Sequence, residues 1–123
     1  MIRSFLLVGL GGAVGSMARY GIGYAVSRYT NHPFPFGTFV INLLGCFIIG
    51  ILSGLVTRNQ WLQDGGMLLL ASGFCGGFTT FSTFALDNIS LAQKGMSVTA
   101  IIYTALSVLI GLLLCRAGIW LAD

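Results

Sequence analysis

Apolar positions run almost unbroken along the chain, and polar residues interrupt them at three short links. The apolar runs cover about 4–27, 36–56, 65–92 and 96–121. Each is near the ~20 residues that a helix needs to cross a bilayer. Four membrane-spanning helices are expected. The first link, Arg28-Tyr29-Thr30-Asn31-His32-Pro33-Phe34-Pro35, carries two prolines, which bar a helix and start the next one. The second link is Thr57 to Asp64, with Trp61 placed as an interfacial anchor. A turn around Gln93-Lys94-Gly95 precedes the last run, where Trp120 is a second interfacial aromatic.

The third run does not have the composition of a lipid-facing helix. Within Gly73-Phe74-Cys75-Gly76-Gly77-Phe78-Thr79-Thr80-Phe81-Ser82-Thr83-Phe84 fall three glycines and four hydroxyl residues. Non-helical backbone at membrane depth persists only where protein or a water-filled path satisfies its N–H and C=O groups. The third helix is expected to break here. Counting residues puts the break roughly 15–20 Å deep, near the midplane. Glycine pairs at helix-packing spacing, Gly11/Gly15, Gly50/Gly54 and Gly73/Gly77, predict close approach of backbones.

Composition fixes the class. The chain has 123 residues, 56% hydrophobic and only 7% charged, whereas a soluble domain is about a quarter charged. So short a chain cannot hide that much apolar surface in a water-soluble core. The expectation is an all-α integral membrane protein, with residues 1–123 as a single four-helix transmembrane domain. A cleaved leader is not expected, because the first apolar run is full length and no small-residue cleavage site follows a short apolar core. The scattered Lys and Arg make no nucleic-acid patch. Cys46, Cys75 and Cys115 are odd in number, widely spaced and within apolar runs, so they read as small hydrophobes.

The charges barely favour either orientation. Arg3, Arg58 and Arg116 fall on one side of the membrane, Arg28 and Lys94 on the other. Orientation follows an excess of Lys and Arg in cytoplasmic loops. Two readings stay open: insertion in both orientations, or a weak bias that sets a single one. Insertion both ways would allow an antiparallel homodimer, with the inverted symmetry that larger transporters build from internal repeats.

Few residues at depth carry chemistry. Arg19 is the only charge well inside a run, and it would either snorkel to the interface or face inward. An inward arginine would attract anions or fix neighbouring helix ends. Asn42 needs a partner, either across helices or at the bottom of an aqueous vestibule. Thr79, Thr80, Ser82, Thr83, Tyr103 and Ser107 lie at matching depth and could line one polar track. Each hydroxyl could instead bond back to its own helix. Phe81 and Phe84 share a helix face and alternate with hydroxyls; aromatic ring edges are positive and can meet an anion. Asp64, Asp87 and Asp123 are read as lying near span ends and His32 lies in a link, so no proton relay is expected. No nucleophile–base pair, phosphate loop or metal cluster is present, and enzyme activity is not expected.

Taken together, Gly11-Gly12 through Arg19-Tyr20, Asn42-Leu43-Leu44-Gly45 and above all Gly73 to Phe84 resemble the Fluc (CrcB) family of fluoride channels. The resemblance covers essentially the whole chain. It implies a dual-topology antiparallel homodimer in the plasma membrane, in bacteria the inner membrane, that lets cytoplasmic fluoride leave passively. It implies pathway roles for Asn42, Phe81, Thr83, Phe84, Tyr103 and Ser107. It further implies a structural sodium ion on the two-fold axis, held by the carbonyls of Gly76 and Thr79 of each copy, and a need for Arg19 in function or assembly. Gly111 continues the Tyr103–Ser107 face without a hydroxyl, a departure from the pattern of some members of that family. The competing reading is a small multidrug-resistance exporter, which resembles this chain in size and span number. That class depends on a glutamate in its first helix, and this chain has no Glu.

Overall fold

The computed structural model describes all residues, 1–123, and the molecule is entirely helical. Helix α1 is Ile2–Tyr29, and α2 is Phe36–Leu55, drawn out by a 3-10 turn, Val56–Arg58. The third span begins with wide, π-type turns at Leu62–Gly66 and Leu68–Cys75 and tightens into α3, Gly76–Phe78. Helix α4 is Phe81–Gln93 and α5 is Ser97–Ala122. Four helical stretches are long and apolar enough to cross a membrane: Ile2–Tyr29, Phe36–Arg58, Leu62–Gln93 and Ser97–Ala122. These bounds match the four runs expected from the sequence to within a few residues. The first link behaves as its prolines dictate, with Pro35 as N-cap and its carbonyl accepting from Phe39 N–H at 3.0 Å.

Two turns need a left-handed backbone, and glycine supplies it. Gly95 (φ 76°) turns α4 into α5, and Gly65 (φ 107°) kinks the start of the third span. At that kink Arg3 donates to the Asp64 carbonyl at 2.9 Å, tying the beginning of α1 to the beginning of the third span.

Helices meet through glycine faces. Helix α1 lies along the first arm of the third span, where Gly11 backs onto Gly73 and Gly12 onto Gly77. A Cβ on Gly77 would fall 2.5 Å from the Gly12 carbonyl oxygen, and one on Gly11 would overlap the Leu69 carbonyl. Helix α2 packs along α5 in parallel register, with Cys46 beside Gly111, Gly50 beside Cys115 and Gly54 beside Ile119. A Cβ on Gly118 would stand 2.5 Å from the Phe47 carbonyl oxygen. All three glycine pairs singled out in the sequence are therefore close-packing sites. In a bilayer such contact holds helices by dispersion and hydrogen bonds, because lipid tails are as apolar as the side chains they meet.

Only 17 of the 123 residues are buried, so the protein's own core is thin and most large apolar side chains face outward. One buried cluster joins Leu52, Leu62 and Cys75; another joins Leu91, Ala100 and Tyr103 beneath Phe34, Phe39 and Phe84. Tyr103 is completely enclosed. The outward apolar surface is what a multi-pass membrane protein presents to lipid.

Glycine packing yields a contrast to measure. Gly118→Leu should lower the thermal midpoint in detergent sharply, since overpacking costs about 1–3 kcal/mol or more. Gly9→Ala, where nothing lies within 4 Å, should leave it unchanged or slightly raised. Equal effects from both would show that helix approach does not depend on these faces.

Candidate functional site

Helical backbone stops at Phe78 and resumes at Phe81. Between them Thr79 (φ −83°, ψ 158°) and Thr80 (φ −150°, ψ 121°) are extended. The glycines of the motif are not the extended residues; Gly76 keeps α-helical angles (φ −63°, ψ −38°). Two extended residues free the carbonyls of the last turn before them and the N–H groups of the first turn after them.

Polar side chains from α1 and α2 meet those freed groups. Asn42 makes two bonds to Thr80: its Nδ2 donates to the Thr80 carbonyl at 3.2 Å, and its Oδ1 accepts from the Thr80 N–H at 3.0 Å. The pairing fixes the amide orientation, since a flip would set donor against donor. In an unbroken helix that N–H would return to the Gly76 carbonyl. Half-buried Arg19 donates from Nε to the Gly77 carbonyl at 3.0 Å, at the C-terminal end of the first arm. A cation there complements the negative end of the helix dipole. Arg19 therefore faces inward and fixes a helix end. The hydroxyls of the break stay local. Thr79 Oγ1 donates to the Cys75 carbonyl at 2.8 Å, and Thr80 Oγ1 caps α4 by accepting from the Thr83 N–H at 3.1 Å.

A cavity of about 510 Å³ opens beside the break. Its walls include Asn42, Cys46, Gly76, Thr79, Phe81, Phe84 and Ser107. The Phe81 and Phe84 ring centroids are 5.9 Å apart. The Ser107 hydroxyl oxygen is buried and has no hydrogen-bond partner. A second groove of about 570 Å³ runs between α1 and α2, past Arg19, Tyr20, Tyr24, Thr38 and Thr83. Thr80 borders both spaces, so the Asn42–Thr80 pair stands where they meet.

The family described as "CrcB-like protein, Camphor Resistance (CrcB)" matches residues 6–119. The chain belongs to the CrcB family. It is 48% identical over 108 residues to the fluoride-specific ion channel FluC of Rhizobium etli (strain CIAT 652), covering 88% of this chain and 86% of that protein. It is 43% identical over 111 residues to the protein of that name from Azobacteroides pseudotrichonymphae genomovar. CFP2, covering 90% and 89%. With that of Phocaeicola vulgatus (strain ATCC 8482) it shares 38% identity over 122 residues, 99% of this chain and all of the relative.

In this CrcB chain the sequence-derived candidates separate into three groups. Asn42, Phe81, Phe84 and Ser107 share the cavity with Gly76 and Thr79. Thr83 and Arg19 face the groove between α1 and α2. Tyr103 borders neither space. Its hydroxyl donates to Asp87 Oδ2 at 3.1 Å, and its ring lies 5.0 Å from the Phe84 ring. A single continuous track of hydroxyls is not what this one copy displays.

Asp87 is the residue that the sequence reading undervalued. It lies six residues from the end of α4, and what the depth count did not reveal is its pairing with Tyr103. Neighbouring Asn88 accepts from Thr104 Oγ1 at 2.8 Å, so α4 and α5 are joined at two successive positions. The signal was available: Asp87 and Tyr103 sit at equal distances from the helix ends on either side of the Gly95 turn, so a helical hairpin sets them opposite each other.

Replacing Asn42 with Leu would strand the Thr80 N–H and carbonyl, at about 1–3 kcal/mol for each buried unpaired group. Asn42→Leu should lower the thermal midpoint and speed amide exchange at residues 79–82. Unchanged exchange there would mean that Asn42 does not close the break.

Proposed function

We propose that the chain is a fluoride-selective channel that lets cytoplasmic fluoride leave passively down its electrochemical gradient, relieving fluoride toxicity. It works in the plasma membrane, in bacteria the inner membrane, and is not an enzyme. Membership of the CrcB family and the relatives named fluoride-specific ion channel FluC support the reading. The observation that carries it is the Ser107 hydroxyl, buried without a partner in a cavity wall shared with Asn42, Phe81 and Phe84. A buried hydroxyl left unpaired costs free energy that its removal would recover. Its retention suits a rotamer that turns the hydroxyl into the cavity, where it would donate a hydrogen bond to a passing anion.

Fluoride holds its water tightly, and a pathway must replace that shell with fixed donors and favourable dipoles. The break provides them. The N-terminal turn of α4 carries the positive end of a helix dipole. Asn42 uses one Nδ2 hydrogen on Thr80 and keeps a second. The positive ring edges of Phe81 and Phe84 complete an environment that suits a small anion better than a cation. Thr83 and Tyr103 belong to the same route: Thr83 on the approach beside Arg19, Tyr103 behind the Phe84 ring.

The third span acts as one membrane helix interrupted near the midplane, and two copies assemble as an antiparallel, dual-topology homodimer. Two observations support this. Phe81 is 79% exposed in one copy, although it borders the cavity, so a single chain walls the pathway on one side only. The balance of Arg3, Arg58 and Arg116 against Arg28 and Lys94 gives little preference for one orientation.

A structural sodium ion fits the same geometry. Gly76 and Thr79 both border the cavity, and the N–H that would have bonded the Gly76 carbonyl is taken by Asn42. Carbonyl oxygens are hard ligands suited to such a cation. Two from each copy would hold it on the two-fold axis, where it would neutralise carbonyl dipoles facing one another.

The decisive experiment is fluoride efflux from liposomes holding the purified protein, with a potassium ionophore to balance charge. Electrogenic fluoride efflux is expected. Phe81→Ile and Asn42→Asp should each lower it by roughly tenfold, about 1.4 kcal/mol in barrier, while the dimer persists. Intact dimers that pass no fluoride would refute the channel. A reporter fused to the C-terminus should respond from both sides of the membrane; response from one side alone would remove dual topology.

A further inference from the structure

We propose that Asn88 and Thr104 are positioning residues for the fluoride pathway, setting the rotation of α4 so that the Phe84 ring stays in the cavity wall. The inference rests on the channel reading above. Helix α4 has only 13 residues, and extended Thr79 and Thr80 cut it off from the turn before it. A helix normally inherits its rotation from the preceding turn, and α4 has no such turn. Thr80 pins its start to Asn42, which leaves rotation about the helix axis to contacts further along.

Asn88 and Thr104 supply such a contact. Thr104 Oγ1 donates to Asn88 Oδ1 at 2.8 Å, and Asn88 Nδ2 donates to the Phe84 carbonyl at 3.0 Å. The relay therefore runs from α5, through one amide, to the backbone of the residue whose ring borders the cavity. Neither Asn88 nor Thr104 borders the cavity or the Arg19 groove. They line a shallow depression with Ala100, Ile101 and Ala105, and Ile101 is largely exposed. Contact with the ion does not account for a polar pair in that place. The side chain of a helix residue extends about 5 Å from the axis, so a rotation of about 20° would carry the Phe84 ring by about 2 Å. The Asp87–Tyr103 bond lies one residue away, but Tyr103 itself packs on Phe84, so only the Asn88–Thr104 pair separates positioning from lining.

The test compares Thr104→Val, which keeps shape and loses the hydroxyl, with Thr104→Ser, which keeps the hydroxyl. Fluoride and chloride efflux are measured in liposomes, with dimer elution and thermal midpoint as controls. Thr104→Val should lower fluoride efflux by roughly fivefold and narrow the gap between fluoride and chloride, with the dimer retained. Thr104→Ser should restore both. Adding Asn88→Leu to Thr104→Val should do little more, since the two act as one unit. A fluorine label on the Phe84 ring should shift its resonance in Thr104→Val and not in Thr104→Ser. Wild-type flux and selectivity in Thr104→Val, or equal losses in the Val and Ser variants, would overturn the proposal. A wild-type protein without fluoride flux would instead defeat the channel reading, and an unmoved fluorine resonance would then defeat the positioning role separately.

Discussion

Two extended residues among helices make demands that the rest of the protein answers. Thr79 and Thr80 leave backbone donors and acceptors without helical partners, in a span that lipid surrounds. Water cannot serve lipid-facing groups there, and each unmet bond costs several kcal/mol. Asn42 meets Thr80 at both its N–H and its carbonyl, and Arg19 meets Gly77. Each bond reaches across from another helix, so the break exists only because α1 and α2 stand beside it. The glycine faces make that proximity attainable. Gly12 against Gly77 brings α1 near enough for Arg19 to reach, and Gly45 leaves room for Thr79 midway along α2.

The same arrangement divides labour within one short motif. Glycines at 73 and 77 give close packing and remain helical; threonines at 79 and 80 take the extended backbone; phenylalanines at 81 and 84 border the cavity. Hydroxyls at 79 and 80 close local bonds, and the buried hydroxyl left unpaired is on another helix, at Ser107. The polar character at 79 and 80 thus stabilises the break, and the buried free hydroxyl comes from α5.

The four spans were legible because lipid imposes one simple rule on composition, and Pro33, Pro35 and Gly95 punctuate it. The glycine pairs were legible because three- and four-residue spacing maps directly onto a helix face. The unusual stretch in the third run also stood out, but its internal assignment did not. Glycine is associated with irregular backbone, yet Gly76 is helical, and β-branched Thr79 and Thr80 take the extended angles that suit their side chains. The wide turns over Leu62–Cys75 left no mark in the sequence, since a shift from i+4 to i+5 bonding requires no particular residue type. The Asp87–Tyr103 pairing is legible only from the turn that sets α4 beside α5, not from depth along an apolar run.

The partners of the break lie far upstream: Asn42 is 38 residues before Thr80, and Arg19 is 58 before Gly77. Synthesis runs from the N-terminus, so both polar side chains emerge from the ribosome well before the groups they bond. During that interval Arg19 and Asn42 lack the backbone partners they hold in the folded protein. The bonds that join the first two helices to the break can form only once the third span is present. When that span arrives, its irregular backbone meets waiting partners. What looks like a defect in one helix is the joint by which the third span fastens to the earlier two.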